Sequence, residues 1–189
     1  MDYDTLAAAV KKRISKKRFA HSLGVMEVAV QLAKRYGCDV EKTRIAAICH
    51  DCAKNESREQ LLQKADQYGM ILDDVVYYET QLMHGPVGSL IARHELGVED
   101  EEILAAIAHH TTGIKEMSLL DKIIYLSDFV EPGRNYPGVE ILRELAFVDL
   151  DRALIQAFDN TIRYVLSLDS VLHPNTIEAR NQLIMRIGG

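Results

Sequence analysis

The run Cys49-His50-Asp51-Cys52-Ala53-Lys54 closes an apolar stretch, Ile45-Ala46-Ala47-Ile48, with a histidine and an aspartate side by side. Successive residues on a helix point about 100° apart, so one turn can offer an imidazole nitrogen and a carboxylate oxygen to one centre. Both atoms are ligands for hard or borderline divalent metals. The pair gains meaning from the remaining histidines at 21, 84, 94, 109, 110 and 173, and from Asp128 after Tyr125-Leu126-Ser127. A helical bundle can bring such positions onto one interior centre. Two histidines stand apart. His94, in Arg93-His94-Glu95, reads as part of a solvated face; His173 precedes proline and reads equally well as substrate loop or plain loop. Cys49-x-x-Cys52 has no second cysteine pair and no βαβ context, so it reads as small buried residues beside the ligands.

The elements that must hold these groups are helical. Proline is rare, with four in all, and apolar residues recur at helical spacing almost throughout. A first helix spans about 3 to 13. Ser15 caps a second that runs to Tyr36 and stops at Gly37, with Phe19, Leu23, Met26, Val30 and Ala33 as its apolar stripe. The third spans Glu41 to about Lys54. Ser57 with Gln60 forms a capping box for a fourth that ends near Gly69. A loop or short helix covers Ile71 to Leu82, in which Tyr77-Tyr78 packs the approach to His84. His84-Gly85-Pro86 opens a helix that runs to Leu96. Further helices run from Glu99 to His110, from Ser118 (boxed by Asp121) to Val130, from Gly138 to Ala146 and from Leu150 to Leu168. His173-Pro174-Asn175-Thr176 leads into the last. No internal repeat, low-complexity tract or linker interrupts this series. The expectation is one all-α domain over 1–189, a helical bundle with its motif core at about 15–135 and C-terminal helices completing it.

Composition narrows the function. Of 189 residues, 48% are hydrophobic and 26% charged, ordinary for a globular protein with a real core. The net charge of −6 argues against a general nucleic-acid binder. The locally basic run Lys11, Lys12, Arg13, Lys16, Lys17 reads as solvated helix surface, with Arg18 excepted because it stands one turn before His21. No apolar stretch is long enough to cross a membrane, and the N-terminus lacks the apolar core of a signal peptide. Three cysteines, an odd number, fit a reduced compartment, so a cytoplasmic protein is expected.

Taken in order, Arg18-Phe19-x-His21-Ser22-x-x-Val25, His50-Asp51-x-x-Lys54, His84-Gly85-Pro86, His109-His110-Thr111-Thr112-Gly113 and Ser127-Asp128-Phe129-x-Glu131-Pro132-x-Arg134 resemble the HD superfamily of metal-dependent phosphohydrolases. Within it they resemble the bacterial YqeK family of symmetrical diadenosine tetraphosphate hydrolases, over nearly the whole chain. The resemblance implies an HD-type bundle in which His21, His50, Asp51 and Asp128 ligate one metal, iron in preference to Mn, Co or Zn. It leaves His84, His109 and His110 to hold a second ion or to bind phosphate. Lys54, one turn after His50, suits a phosphate charge. Arg18 and Arg134 suit paired hydrogen bonds to phosphate. Asn55 and Thr111 are further nucleotide-binding candidates, and Asn175 and Thr176 could contact a nucleotide from a helix start. The expected reaction is hydrolysis of a dinucleoside tetraphosphate between its central phosphates to two nucleoside diphosphates, with no nucleic-acid or membrane partner. A homodimer is compatible with a compact helical enzyme.

Two other functional readings compete, beside that of a purely structural helical bundle, which would hold no metal. A phosphohydrolase of another nucleotide is one, although the cyclic-dinucleotide class carries Gly-Tyr-Pro after its mid-chain histidine and His84-Gly85-Pro86 lacks the tyrosine. The other is a nucleotide-sensing binding protein without turnover.

Overall fold

The computed structural model describes residues 2–188, and among them are eleven helices and no strand. In chain order these are α1 Tyr3–Arg13, α2 Lys16–Tyr36, α3 Val40–Cys49, α4 Arg58–Gln67, α5 Asp74–Tyr78, α6 Thr80–His94, α7 Glu101–His109, α8 Leu119–Val130, α9 Val139–Val148, α10 Leu150–Ser167 and α11 Pro174–Gly188. The caps fall where local chemistry directs. Ser57 with Gln60 and Ser118 with Asp121 both close reciprocal capping boxes, which satisfy amide donors at the helix starts. Gly37 ends α2 at φ 77°, a left-handed conformation that glycine adopts without Cβ strain.

The centre of the bundle is α2, α3, α7 and α8, which pack on one another, with α6 against α7 and α10 against α8, α9 and α11. One apolar cluster runs from Leu6 in α1 to Leu183 in α11 and includes fully buried Ile48, Met83, Ile107, Tyr125 and Phe158. Its members are mostly Leu, Ile, Val and Ala, as a chain without Trp requires. In α2 the buried row is Ser22, Val25, Val28, Ala29, Leu32 and Ala33, rather than the expected stripe. Of that stripe only Ala33 is buried; Phe19, Met26 and Val30 are half-buried and Leu23 is exposed. Ser22, Ala29 and Ala33 let α2 lie close against α3 and α8, and Val25, Val28 and Leu32 fill the same inward row.

Two helix ends differ from expectation, and both differences shape the site. The third helix stops at Cys49 instead of Lys54. Beyond it the backbone bonds reach only three residues back, from Cys52 to Cys49, Lys54 to Asp51 and Glu56 to Ala53, a tighter winding than α. The sixth helix begins at Thr80, a full turn before His84, so Pro86 lies inside it. Tyr77 and Tyr78 do not pack the approach to His84: they are 54% and 72% exposed, and Tyr77 carries the Arg58 guanidinium over its ring. Of the basic run, Arg13 is not merely solvated but pairs with Glu56 and Glu95. No helix among the described residues is long and apolar enough to cross a membrane.

Candidate metal centre

Five helix segments deliver the candidate ligands. His21 comes from the second turn of α2, whose Ser15 cap is tied through its backbone N–H to Asn55 Oδ1 at 3.0 Å. His50 and Asp51 stand at the tight turn that ends α3. His84 comes from the second turn of α6, His110 from the end of α7, and Asp128 from the last turn of α8. Each histidine is oriented from behind. His50 Nδ1 donates to Ala47 O at 2.7 Å, His84 Nδ1 to Gln81 O at 2.6 Å and His110 Nδ1 to Ile107 O at 2.7 Å. In all three cases the acceptor is the carbonyl three residues back, and the early start of α6 is what supplies Gln81. His21 Nδ1 instead faces the Glu131 carboxylate at 3.1 Å. A carbonyl or carboxylate can only accept, so each Nδ1 carries the proton and each Nε2 turns a lone pair inward.

These lone pairs converge on Asp51, which is almost fully buried. Its Oδ2 lies 3.4 Å from His50 Nε2 and 3.6 Å from His21 Nε2; its Oδ1 lies 3.1 Å from His84 Nε2 and 3.7 Å from His110 Nε2. Two triads result, His21–His50–Asp51 and Asp51–His84–His110, each with ligand atoms within 4.8 Å of one another. Asp128 closes the first triad, with Oδ1 2.9 Å from His21 Nε2.

This arrangement fits a cation better than a hydrogen-bond network. The Nε2 atoms of His21 and His50 are buried and make no hydrogen bond; with the proton on Nδ1 they have none to give to the nearby carboxylate oxygens. His84 Nε2 and His110 Nε2 are 3.0 Å apart, and two lone pairs at that distance repel unless a positive charge lies between or beside them. Imidazole nitrogen with carboxylate oxygen is a donor set for Mn, Fe, Co or Zn. The cysteines take no part: Cys52 Sγ contacts Gly88 O at 3.4 Å, and burial pushes both the Cys49 and Cys52 thiols up, Cys52 to about 12.

Electrostatics agree. Burial opposes ionisation of Asp51, but His50, His110 and His84 hold its carboxyl well below the usual range whenever their Nε2 atoms carry a proton, and a bound cation would supply that positive charge in its place. Burial likewise opposes Asp128, and His21, Arg134 and His50 overcome it. Burial lowers His84 to about 4, with His110 and Lys54 adding to the shift. Lys54 is also lowered, mainly by burial; its Nζ sits 3.3 Å from His84 Nδ1 and 3.4 Å from Nε2. Arg18 pairs with Asp51 Oδ2 at 2.8 Å, and Arg134 holds both the backbone carbonyl (2.7 Å) and the carboxylate of Asp128.

Not every expected residue arrives. His109 turns away to Asp121 Oδ1 at 3.0 Å, so of the adjacent pair only His110 joins the centre. Thr111 lines the metal lobe, and its hydroxyl is buried without a partner. Thr176 donates to Thr112 O at 3.0 Å and is buried, so it braces the Thr111-Thr112-Gly113 turn. The Asn175 backbone N–H donates to His173 Nδ1, while His173 Nε2 meets Asp73 Oδ2 at 3.1 Å; that loop is a structural tie. Exposed His94 stacks on Tyr68. Glu131 stands in the Asp128 motif, where the sequence alone assigns it no role, and the structure places it behind His21. It is 5% exposed, accepts from Gly133 N at 2.6 Å and occupies space left by Gly24, where a Cβ would stand 2.6 Å from its Oε2. Its signal is positional, an acidic residue one turn after Asp128 and next to proline.

Fold and site together define a helical bundle built round a His/Asp centre of the kind that holds divalent metal. The HD domain model matches residues 18–133. The chain is 43% identical to the symmetrical bis(5′-nucleosyl)-tetraphosphatase of Halalkalibacterium halodurans, over 93% of this chain and 94% of that protein. It is 39% identical to the protein of the same name from Bacillus subtilis, over 97% and 98%. A crystal structure of a predicted HD superfamily hydrolase involved in NAD metabolism from Clostridium acetobutylicum superposes with a TM-score of 0.95 at 46% identity, covering 98% of each chain. The chain belongs to the HD domain family, and its similarity to the symmetrical tetraphosphatases is nearly full-length.

Proposed function

We propose that this protein is a metal-dependent hydrolase that cuts diadenosine tetraphosphate between its two central phosphates, releasing two ADP. The observation that carries the reading is the pair of triads sharing Asp51, set at the base of a cationic cleft. His21, His50, Asp51 and Asp128 would hold one ion; the other oxygen of Asp51, with His84 and His110, would hold a second. Such an ion, when bound, lowers the pKa of water and withdraws charge from a phosphate oxygen.

The chain's own residues supply the rest. Arg18, Lys54 and Arg134 line the lobe over Asp51 and place positive charge around a polyanion in a chain of net charge −6. The guanidinium forks of Arg18 and Arg134 suit phosphate oxygens, and they now pair with Asp51 and Asp128 respectively, so an arriving phosphate would exchange partners with groups already in place. Partial burial of Lys54 lowers its hydration and strengthens its pairing with an anion. Glu131 and the three carbonyls fix the imidazole tautomers so that Nε2 stays available.

The resemblance favours iron among Fe, Mn, Co and Zn, and the three free thiols favour a cytoplasmic setting. The uninterrupted apolar cluster supports reading the whole chain as one domain. The test is chelation followed by reconstitution. Stripped protein should lose turnover of diadenosine tetraphosphate, and stoichiometric Fe(II), Mn, Co or Zn should restore it. Undiminished turnover in metal-free protein would refute the proposal.

A further inference from the structure

The metal lobe, about 380 Å³, opens on two sides. On one side lies a recess of about 940 Å³ between α2 and the loop after α8; it shares Arg18, Lys54 and Arg134 with the metal lobe. On the other lies a recess of about 500 Å³ between the end of α8 and α10, which shares Asp128, Phe129 and Arg134. Arg134 borders all three. The smaller recess differs in chemistry: its walls are the rings of Phe129, shared with the metal lobe, of Tyr136, which also borders the larger recess, and of Tyr164, with Asn160 and Thr161 beside them.

The α10 sequence explains how this wall forms. Its buried stripe runs Leu150, Ala153, Leu154, Ala157, Phe158. Continued at helical spacing, the same stripe reaches Thr161 and Tyr164, where the core has ended. Thr161 Oγ1 returns to Ala157 O at 3.1 Å, and Tyr164 is left 65% exposed at the mouth of the recess. The Tyr136 hydroxyl donates to Phe129 O at 2.9 Å, which fixes its ring along the opposite wall. Asn160 Oδ1 makes only a 3.5 Å contact with Arg163, at the limit of hydrogen bonding.

We propose that this aromatic recess is a nucleobase site for one arm of a dinucleoside polyphosphate, with Tyr164 as its stacking platform and Asn160 facing the base edge. The inference rests on the proposed function: a substrate cut at its centre sends two equal arms outward from the metal lobe, and the two recesses leave that lobe in different directions. The larger, polar recess takes the other arm. Every base has a π-face, so the site would accept either a purine or a pyrimidine on its ring and would discriminate weakly.

The test is titration of wild type, Tyr164→Ala and Tyr164→Phe with diadenosine tetraphosphate carrying a methylene at the central bridge, and separately with inorganic tripolyphosphate, which has no base. Tyr164→Ala should raise Kd for the analogue about tenfold, the weight of one base–aromatic stack, and leave tripolyphosphate within about twofold. Tyr164→Phe should bind as wild type does. An unchanged analogue Kd in Tyr164→Ala, an equal loss for tripolyphosphate, or no binding of the analogue by wild type would each overturn the site. Analogue binding that depends on Tyr164, in a protein that does not cleave the natural compound, would overturn the proposed function and leave the base site standing. Cleavage with a Tyr164→Ala analogue Kd equal to wild type would do the reverse.

Discussion

Replacing Glu131 with glutamine tests whether His21 is oriented for a metal. The carboxylate uses both oxygens as acceptors: one faces His21 Nδ1 at 3.1 Å, the other takes Gly133 N–H at 2.6 Å. Glutamine offers one oxygen. If that oxygen keeps Gly133, an NH₂ confronts the Nδ1–H of His21 and drives the ring to the wrong tautomer or out of place; if it keeps His21, the loop amide loses its partner. Changes to groups behind a metal-bound histidine cost roughly ten- to a hundredfold in metal affinity or activity, about 1.4–2.7 kcal/mol. Gly24→Ala should have the same effect by steric means, because its Cβ would stand 2.6 Å from Glu131 Oε2. The assay pairs metal affinity with kcat for diadenosine tetraphosphate, and a melting curve checks that the fold survives. Glu131→Gln with metal affinity and kcat both within twofold of wild type would refute this role.

Other outcomes follow from the same geometry. His110→Ala should lower kcat at least about tenfold. His109→Ala should stay within about threefold of wild-type kcat while losing about 1 kcal/mol of stability with its Asp121 hydrogen bond, as read by denaturant titration; equal kinetic losses would contradict the division between the two. Gly85→Ala should destabilise by about 1–3 kcal/mol, because its Cβ would meet Ala108 O at 2.8 Å and push α6 from α7; an unchanged melting temperature would count against that packing. Alkylation at pH 8 should label only half-buried Cys38 in the native protein and all three thiols after unfolding, since burial holds Cys49 and Cys52 as neutral thiols, Cys52 to about 12. Rapid native labelling of Cys52 would contradict its burial.

Helix starts were legible wherever a side chain caps its own backbone, as at Ser15, Ser57 and Ser118, because that chemistry is local. The residues that meet at the candidate centre, His21, His50, Asp51, His84, His110 and Asp128, all stand in the motifs that carry the family resemblance, which left His84 and His110 open between a second ion and phosphate. What escaped depended on partners distant in sequence. The inward face of α2 was set by how closely α3 and α8 approach, which favours Ser22 and Ala29 over Leu23. The end of α3 and the early start of α6 follow the tight turn after Cys49 and the Gln81 carbonyl behind His84. His109 and His110 are neighbours in sequence with equal claims, and only the direction of the last turn of α7 separates them. Asn175 and Thr176 stand at a helix start, where the Thr112 carbonyl takes the Thr176 hydroxyl and His173 takes the backbone N–H of Asn175.

The most direct test of the central claim is product analysis of diadenosine tetraphosphate incubated with wild type and with Asp51→Asn, with bound metal measured on the same samples. Asp51 is the one carboxylate common to both triads. The account predicts ADP as sole product from wild type, and loss of both metal and turnover in Asp51→Asn. AMP with ATP from wild type, or undiminished turnover in Asp51→Asn, would contradict it.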